Sequence, residues 1–173
     1  CINLGSVLVV DGGSTDNTVS IAESLGATVV YNPYEYYAQQ CNFALERVQT
    51  AWAFVLDADE RIGERLAVSI EAAAPEAKWA AYWVTRRNYL FGKPIRHSGW
   101  SPDLNVRLLK VSLCSYDDRQ IHPRLHVNGP EGSLEGPIHH FTYSTVAQYI
   151  DKLQSYTSYE VDARKQKQLV LDN

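Results

Sequence analysis

The chain has 173 residues, 45% of them apolar and 21% charged, which gives enough material for one ordinary domain with a core and excludes a disordered or collagen-like polypeptide. A net charge of -4 disfavours a nucleic-acid partner, because phosphate binding draws on a positive field. No apolar run reaches the roughly 20 residues that span a bilayer, and no basic stretch followed by an apolar one marks a leader.

Cys1, Cys41 and Cys114 are odd in number and lack CxxC spacing, so they suggest neither a disulfide framework nor a thiolate zinc site, and a reducing cytosol is the expected home. The chain contains no Met, and it reads as a fragment of a longer protein. Ser6 to Asp11 is a short β-branched run that ends in acid, suited to a buried parallel strand. Gly12 and Gly13 break it, Ser14 or Thr15 is placed to cap a helix through Leu25, and Gly26 stops that helix. Thr28–Tyr31 reads as a strand, Tyr37 to Val48 as a helix, Ala51 to Leu56 as a third strand, and Arg65 to Ala74 as a helix. Alternation of this kind predicts a parallel sheet flanked by helices.

After Ala80 the pattern changes. Tyr82 to Tyr89 and Leu104 to Val111 read as strands within a loop-rich half, and Thr145 to about Lys167 as a helix ending in Arg164, Lys165 and Lys167. The expected organisation is one α/β domain in three parts, 1–79, 80–143 and 144–173.

Two of the strands end in acid, at Asp11 and at Asp57, and ligands of open α/β sheets bind outside the carboxyl ends of strands. Asp57 and Asp59, one residue apart, can bring two carboxylates to one hard cation and leave positions open for phosphate oxygens. Acid-rich turns also cap helices, and Asp59 or Glu60 could serve the helix that follows. Gly12-Gly13-Ser14 has neither the Walker spacing nor the GxGxxG spacing.

Three blocks taken together are more specific: Val9 to Thr18, Gln40-Cys41-Asn42 with Ala44-Leu45, and Val55 to Arg61. In this order they resemble the nucleotide-sugar half of glycosyltransferase family 2. Arg87 to Gly92, Ser98 to Asp103, Val106-Arg107-Leu108 and Leu134 to Tyr143 are similar to its lipopolysaccharide-core branch. The resemblance implies a GT-A type, Rossmann-like, mostly parallel sheet with flanking helices. It implies an inverting transferase that moves a hexose or heptose from a nucleotide-sugar donor, such as a UDP-sugar, to a lipid-linked core oligosaccharide. It places Asp11 at the base or ribose, Ser14 and Asp16 around that pocket, Asn42 among the donor-binding residues, and Asp57 near the ribose or diphosphate. Asp59 would hold Mn²⁺ or Mg²⁺ against the diphosphate, with His140 as a further metal or phosphate contact or, alternatively, an ordinary hydrogen-bonded histidine.

Inversion needs a base for the acceptor hydroxyl. Where relatives carry that Glu, this chain has Pro123, which leaves Asp118 and Asp103, then Asp117 and His122, as candidates. Cys41 stands where relatives carry a cation, and the first family strand, with its Asn-Glu pair, has no counterpart before Ser6. Trp100, Tyr89 and Phe91 could stack on an acceptor sugar or belong to the core. The resemblance further implies a cytoplasmic protein, with Lys152, Arg164, Lys165, Lys167 and the helix tyrosines available to touch the inner face of the bacterial inner membrane, or a solvated helix end. A non-catalytic sugar-nucleotide or glycan-binding relative is the alternative reading. A nucleotidyltransferase is disfavoured, because the glycine-rich cationic loop that grips a triphosphate is absent.

Overall fold

A computed structural model of the chain describes residues 4–74, 78–97, 99–117, 119, 123–154, 157 and 161. The first strand, β1 (Leu8–Asp11), pairs in parallel with β2 (Thr28–Tyr31) across the crossover helix α1 (Thr18–Ser24). Gly26, at φ +83°, is the left-handed stop after α1. The cap differs from the expectation. Asn17 holds that position without a side-chain bond, because the Asp11 carboxylate takes the Ser14 hydroxyl and Asp16 takes Thr18.

Helix α2 (Tyr37–Leu45) leads to β3 (Trp52–Phe54), β4 (Glu60–Ile62) and helix α3 (Glu64–Ala73). The next strands are β5 (Ala81–Leu90), β6 (Lys93–Pro94), β7 (Asp103–Lys110), β8 (Cys114–Tyr116), β9 (Leu125–Val127) and β10 (Glu131–Tyr143). The larger sheet runs β3-β7-β5-β10-β4, with β6 on β5. Its β5–β10 ladder is parallel and its other ladders are antiparallel. Parallel pairing thus joins β1 to β2 across α1 and β5 to β10 across further strands, whereas β3 lies antiparallel to β7.

The half expected to be rich in loops is organised by β10, a 13-residue strand in contact with β5, β4 and α3. Gly132, Gly136 and Pro137 disguise it in the sequence. Gly136, at φ +93°, sits at the register shift between Ser133 and Pro137, and a Cβ there would lie 2.6 Å from the Leu66 nitrogen. The glycine thus lets α3 approach the sheet.

Leu66, Ile70 and Ala73 of α3 pack on Tyr82, Val84, Leu108 and Ile138. Leu45 of α2 and Cys114 cover Ala81 and Leu109, so helices lie on both faces of the sheet. Leu66, Val84, Leu109 and Ile138 are fully buried, each stabilising the fold by about 1.5–3 kcal/mol. Residues 146–154 are helical, and the expected continuation through Arg164, Lys165 and Lys167 lies outside the described residues. Among the described residues, no helix is long and apolar enough to cross a membrane.

Candidate active site

The acid turn after β3 is built by a residue that the sequence suggests only as a helix cap. Glu60 lies in β4 and its side chain is fully buried, while α3 is capped by the Gly63 backbone. Its Oε2 accepts the Asp57 N–H at 3.0 Å and its Oε1 accepts Arg107 Nη2 at 2.6 Å. The same Nη2 donates to Asp57 Oδ2 at 2.9 Å. Burial disfavours the Arg107 charge, but its hydrogen bond to Asp57 and the charges of Asp57 and Glu60 outweigh it and hold the guanidinium protonated. Asp57 therefore keeps one carboxylate oxygen fixed and a third of its side chain open to solvent.

The Phe141 N–H donates to the Asp59 carbonyl at 2.9 Å, which fastens the turn to β10. There the structure brings Asp59 and His140 together, with His140 Nε2 3.3 Å from Asp59 Oδ2. Both line a cavity of about 520 Å³ with Thr142, Tyr143, Gln148, Asp151 and Lys152. Asp59 is half exposed there. The Asp59 carboxylate is an oxygen donor of the kind Mn²⁺ and Mg²⁺ favour, and the His140 imidazole is a donor that transition ions accept more readily than Mg²⁺, so the two would hold Mn²⁺ better than Mg²⁺. No group of three or more His, Cys, Asp or Glu side chains placed to hold a metal occurs among the described residues. The remaining positions would fall to phosphate oxygens and water, so the pair fits a cation carried with a diphosphate.

Behind His140 stands a second set of side chains. His140 Nδ1 lies 2.6 Å from Asn88 Oδ1, and Asn88 Nδ2 donates to the Trp100 carbonyl at 3.0 Å and to Asp103 Oδ2 at 2.9 Å. Asp103 also accepts Arg86 Nε at 2.8 Å and Asn105 Nδ2 at 2.8 Å. Burial would raise the Asp103 pKa, but the Asn88 and Arg86 hydrogen bonds prevail and hold it below the ordinary carboxylate range. A carboxylate with donors of this kind is a weak proton acceptor.

Asp11 is buried, and its oxygens accept the Gly13 N–H at 3.0 Å and the Ser14 N–H at 3.0 Å as well as the Ser14 hydroxyl. These Ser14 bonds lower its pKa. Asp16 accepts both the N–H and the hydroxyl of Thr18. Asn42 spends both ends of its amide on the Tyr116 backbone, at 2.8 and 2.9 Å, and so ties α2 to β8. The Cys41 thiol lies beside Tyr37 and Tyr116, and burial pushes its pKa up, so it carries no charge to a phosphate. Asp117 accepts the Arg124 N–H at 2.9 Å and pairs with Arg119. Asp118 and His122 lie outside the described residues. Tyr89 stacks on Phe141 at 4.8 Å and shares a hydrogen bond with His139, while Phe91 and Trp100 are exposed.

Arg86, Asn88 and Arg107 complete the site without having been singled out individually, and Glu60, expected only as a helix cap, joins them. A signal existed for Arg107, whose charge sits in the apolar run Val106-Arg107-Leu108-Leu109 and demands a buried counter-ion.

The carboxylate and imidazole that line this cavity, on an α/β sheet, agree with the comparison to known proteins. The model of the family described as glycosyl transferase family 2 matches residues 6–125. The chain belongs to that family. It is 29% identical over 164 residues to a lipopolysaccharide core biosynthesis glycosyltransferase, LpsC, of Rhizobium meliloti, a match that covers 90% of this chain and 61% of the relative. An uncharacterized glycosyltransferase of Rickettsia typhi is 28% identical over 166 residues, 88% of this chain and 56% of the relative. Another, from Rickettsia bellii, is 42% identical over 81 residues, 45% of this chain and 28% of the relative. The chain thus spans about three fifths of the length of the first two relatives. As a member of family 2, it has the GT-A type, Rossmann-like α/β fold.

Proposed function

We propose that this family 2 domain carries out metal-assisted, inverting transfer of a hexose or heptose from a nucleotide-sugar donor to a lipid-linked core oligosaccharide. The observation that carries the reading is the Asp59–His140 pair, 3.3 Å apart in the lining of a cavity of about 520 Å³. The likeness to the Rhizobium meliloti lipopolysaccharide core enzyme supports the acceptor class. Asp59 and His140 would hold the Mn²⁺ or Mg²⁺, which when bound supplies positive charge for the departing diphosphate. The free oxygen of Asp57 accepts a ribose hydroxyl, and Arg107 and Glu60 keep it aimed. Asp11, fixed by Gly13 and Ser14, shapes the wall toward the base together with Ser14 and Asp16, and Asn42 supports that wall through Tyr116. Lys152, in the same cavity, adds positive charge beside the diphosphate or a membrane phosphate. The acceptor proton goes to a base among Asp118, Asp103, Asp117 and His122, with Asp118 first, because the donors around Asp103 lower its affinity for a proton. The place of action is the cytoplasmic face of the inner membrane.

The test is a thermal-shift panel of UDP, GDP, dTDP and ADP and their sugars, with and without Mn²⁺, on wild type and Asp59→Ala. A ligand at about 100 times its dissociation constant stabilises by about 2.7 kcal/mol. A metal-dependent shift with one base, absent in Asp59→Ala, is expected, and an equal shift in both proteins overturns the metal role. The depressed pKa of Asp103 and the presence of Pro123 favour, as a second reading, a relative that binds the nucleotide sugar without transferring it. Release of free nucleoside diphosphate with an acceptor present rejects that reading, and tight binding without release supports it.

A further inference from the structure

The amide of Asn88 is buried on β5 directly beside His140 of β10, its register partner in the parallel ladder. Which end of the amide faces the imidazole follows from the other two contacts. Trp100 presents a carbonyl and Asp103 a carboxylate, and both accept only. Arg86 and Asn105 keep Asp103 ionised, so it has no hydrogen to give. The NH₂ of Asn88 must therefore point at these two oxygens. A flipped amide would set three acceptors against one another in a buried place, at the cost of an unmade hydrogen bond for each. The carbonyl Oδ1 is left facing His140 Nδ1 at 2.6 Å, and a carbonyl can only receive the ring hydrogen there.

We propose that Asn88 is a positioning residue: its carbonyl, locked by Trp100 and Asp103, keeps the hydrogen of the neutral His140 ring on Nδ1 and turns the Nε2 lone pair toward Asp59. An unconstrained neutral imidazole prefers the opposite tautomer, with hydrogen on Nε2. In that form the ring would donate to Asp59 and close the gap to a cation. With the lone pair outward, two acceptors face each other across 3.3 Å, an arrangement that a bridging cation completes. A ligand histidine fixed through its second nitrogen is the usual support of a metal site, and loss of such a support weakens metal binding about 10–100-fold. The consequence for metal rests on the function proposed above, whereas the tautomer does not.

The experiment is long-range ¹H–¹⁵N NMR of the histidine rings in metal-free protein at pH 8, with the His140 signal assigned by its loss in His140→Gln. The wild-type ring is expected to carry its hydrogen on Nδ1 alone. Asn88→Leu removes the acceptor and is expected to move the hydrogen to Nε2. A wild-type ring with hydrogen on Nε2, or on both nitrogens at pH 8, overturns the proposal. This holds even where Asn88→Leu fails to fold. Titration with Mn²⁺ and inorganic pyrophosphate, followed by electron paramagnetic resonance, then reads the consequence. Binding about 10-fold weaker in Asn88→Leu than in wild type supports the link to metal. The expected tautomer with no Mn²⁺ bound to any of the proteins leaves the positioning role standing and rejects the metal role of Asp59 and His140.

Discussion

The β1–β2 region and the β5–β10 region both present acids at strand ends, yet they hold them in different ways. Asp11 and Asp16 are fixed by groups two or three residues away, so each turn organises itself. In the larger sheet, Asp57 is held by Arg107 from 50 residues away and His140 by Asn88 from 52 residues away. The self-contained turns are shaped by their own sequence, whereas the second region acquires its geometry only when the sheet forms. Damage to a single side chain should therefore stay local in the first region and spread in the second.

Arg107→Met should sharpen this contrast most. It leaves the buried Glu60 carboxylate with the Asp57 N–H and, as its remaining cation among the described residues, the more distant Arg86, and it frees the Asp57 side chain. Removing one partner of a buried pair costs about 3–5 kcal/mol, because the remaining charge stays buried. Urea denaturation should show that loss, and a change below about 1 kcal/mol would mean that water reaches Glu60. Two glycines give the next comparison. Gly136→Ala places a Cβ 2.6 Å from the α3 backbone at a positive φ, and the clash and strain together should cost about 3 kcal/mol. Gly26→Ala is also strained at φ +83° but meets nothing within 4 Å, so about 1 kcal/mol is expected. Equal effects in the two variants would remove the distinction between the regions.

What the sequence makes legible follows the same division. The strand–turn–helix from Ser6 to Gly26 is readable because its signals, a β-branched run, paired glycines and a stop glycine, act on their neighbours. The acid pair Asp57 and Asp59 is legible in the sequence, whereas its link to His140 comes only from the family resemblance, beside the alternative of an ordinary hydrogen-bonded histidine. The roles of Glu60, Asn88 and Arg107 are not readable in this way. A buried Glu looks like a capping Glu until Arg107 is seen above it, and β10 looks like a loop because Gly136 and Pro137 serve its bulge and the approach of α3. Asn42 fits a ligand-facing amide equally well in sequence, but its two ends are used by Tyr116.

The smallest effect is expected from pH. Asp103 has a folded pKa below its unfolded value near 3.8, so the folded state holds its proton less tightly than the unfolded state does. Its contribution to stability is complete above that value and is lost as pH falls through the lower folded value. Wild type should accordingly lose stability below about pH 4, and Asp103→Asn, which cannot titrate, should lose less over the same interval when urea midpoints at pH 6 and pH 3 are compared. The side chain is partly open to solvent, so added salt should shrink the difference. A variant whose acid sensitivity equals that of wild type would locate the acid response in other carboxylates, since the pKa values of Asp11, Asp16 and Asp117 are also lowered, and would show that the Arg86–Asp103 pair orients Asn88 without setting the stability of the sheet.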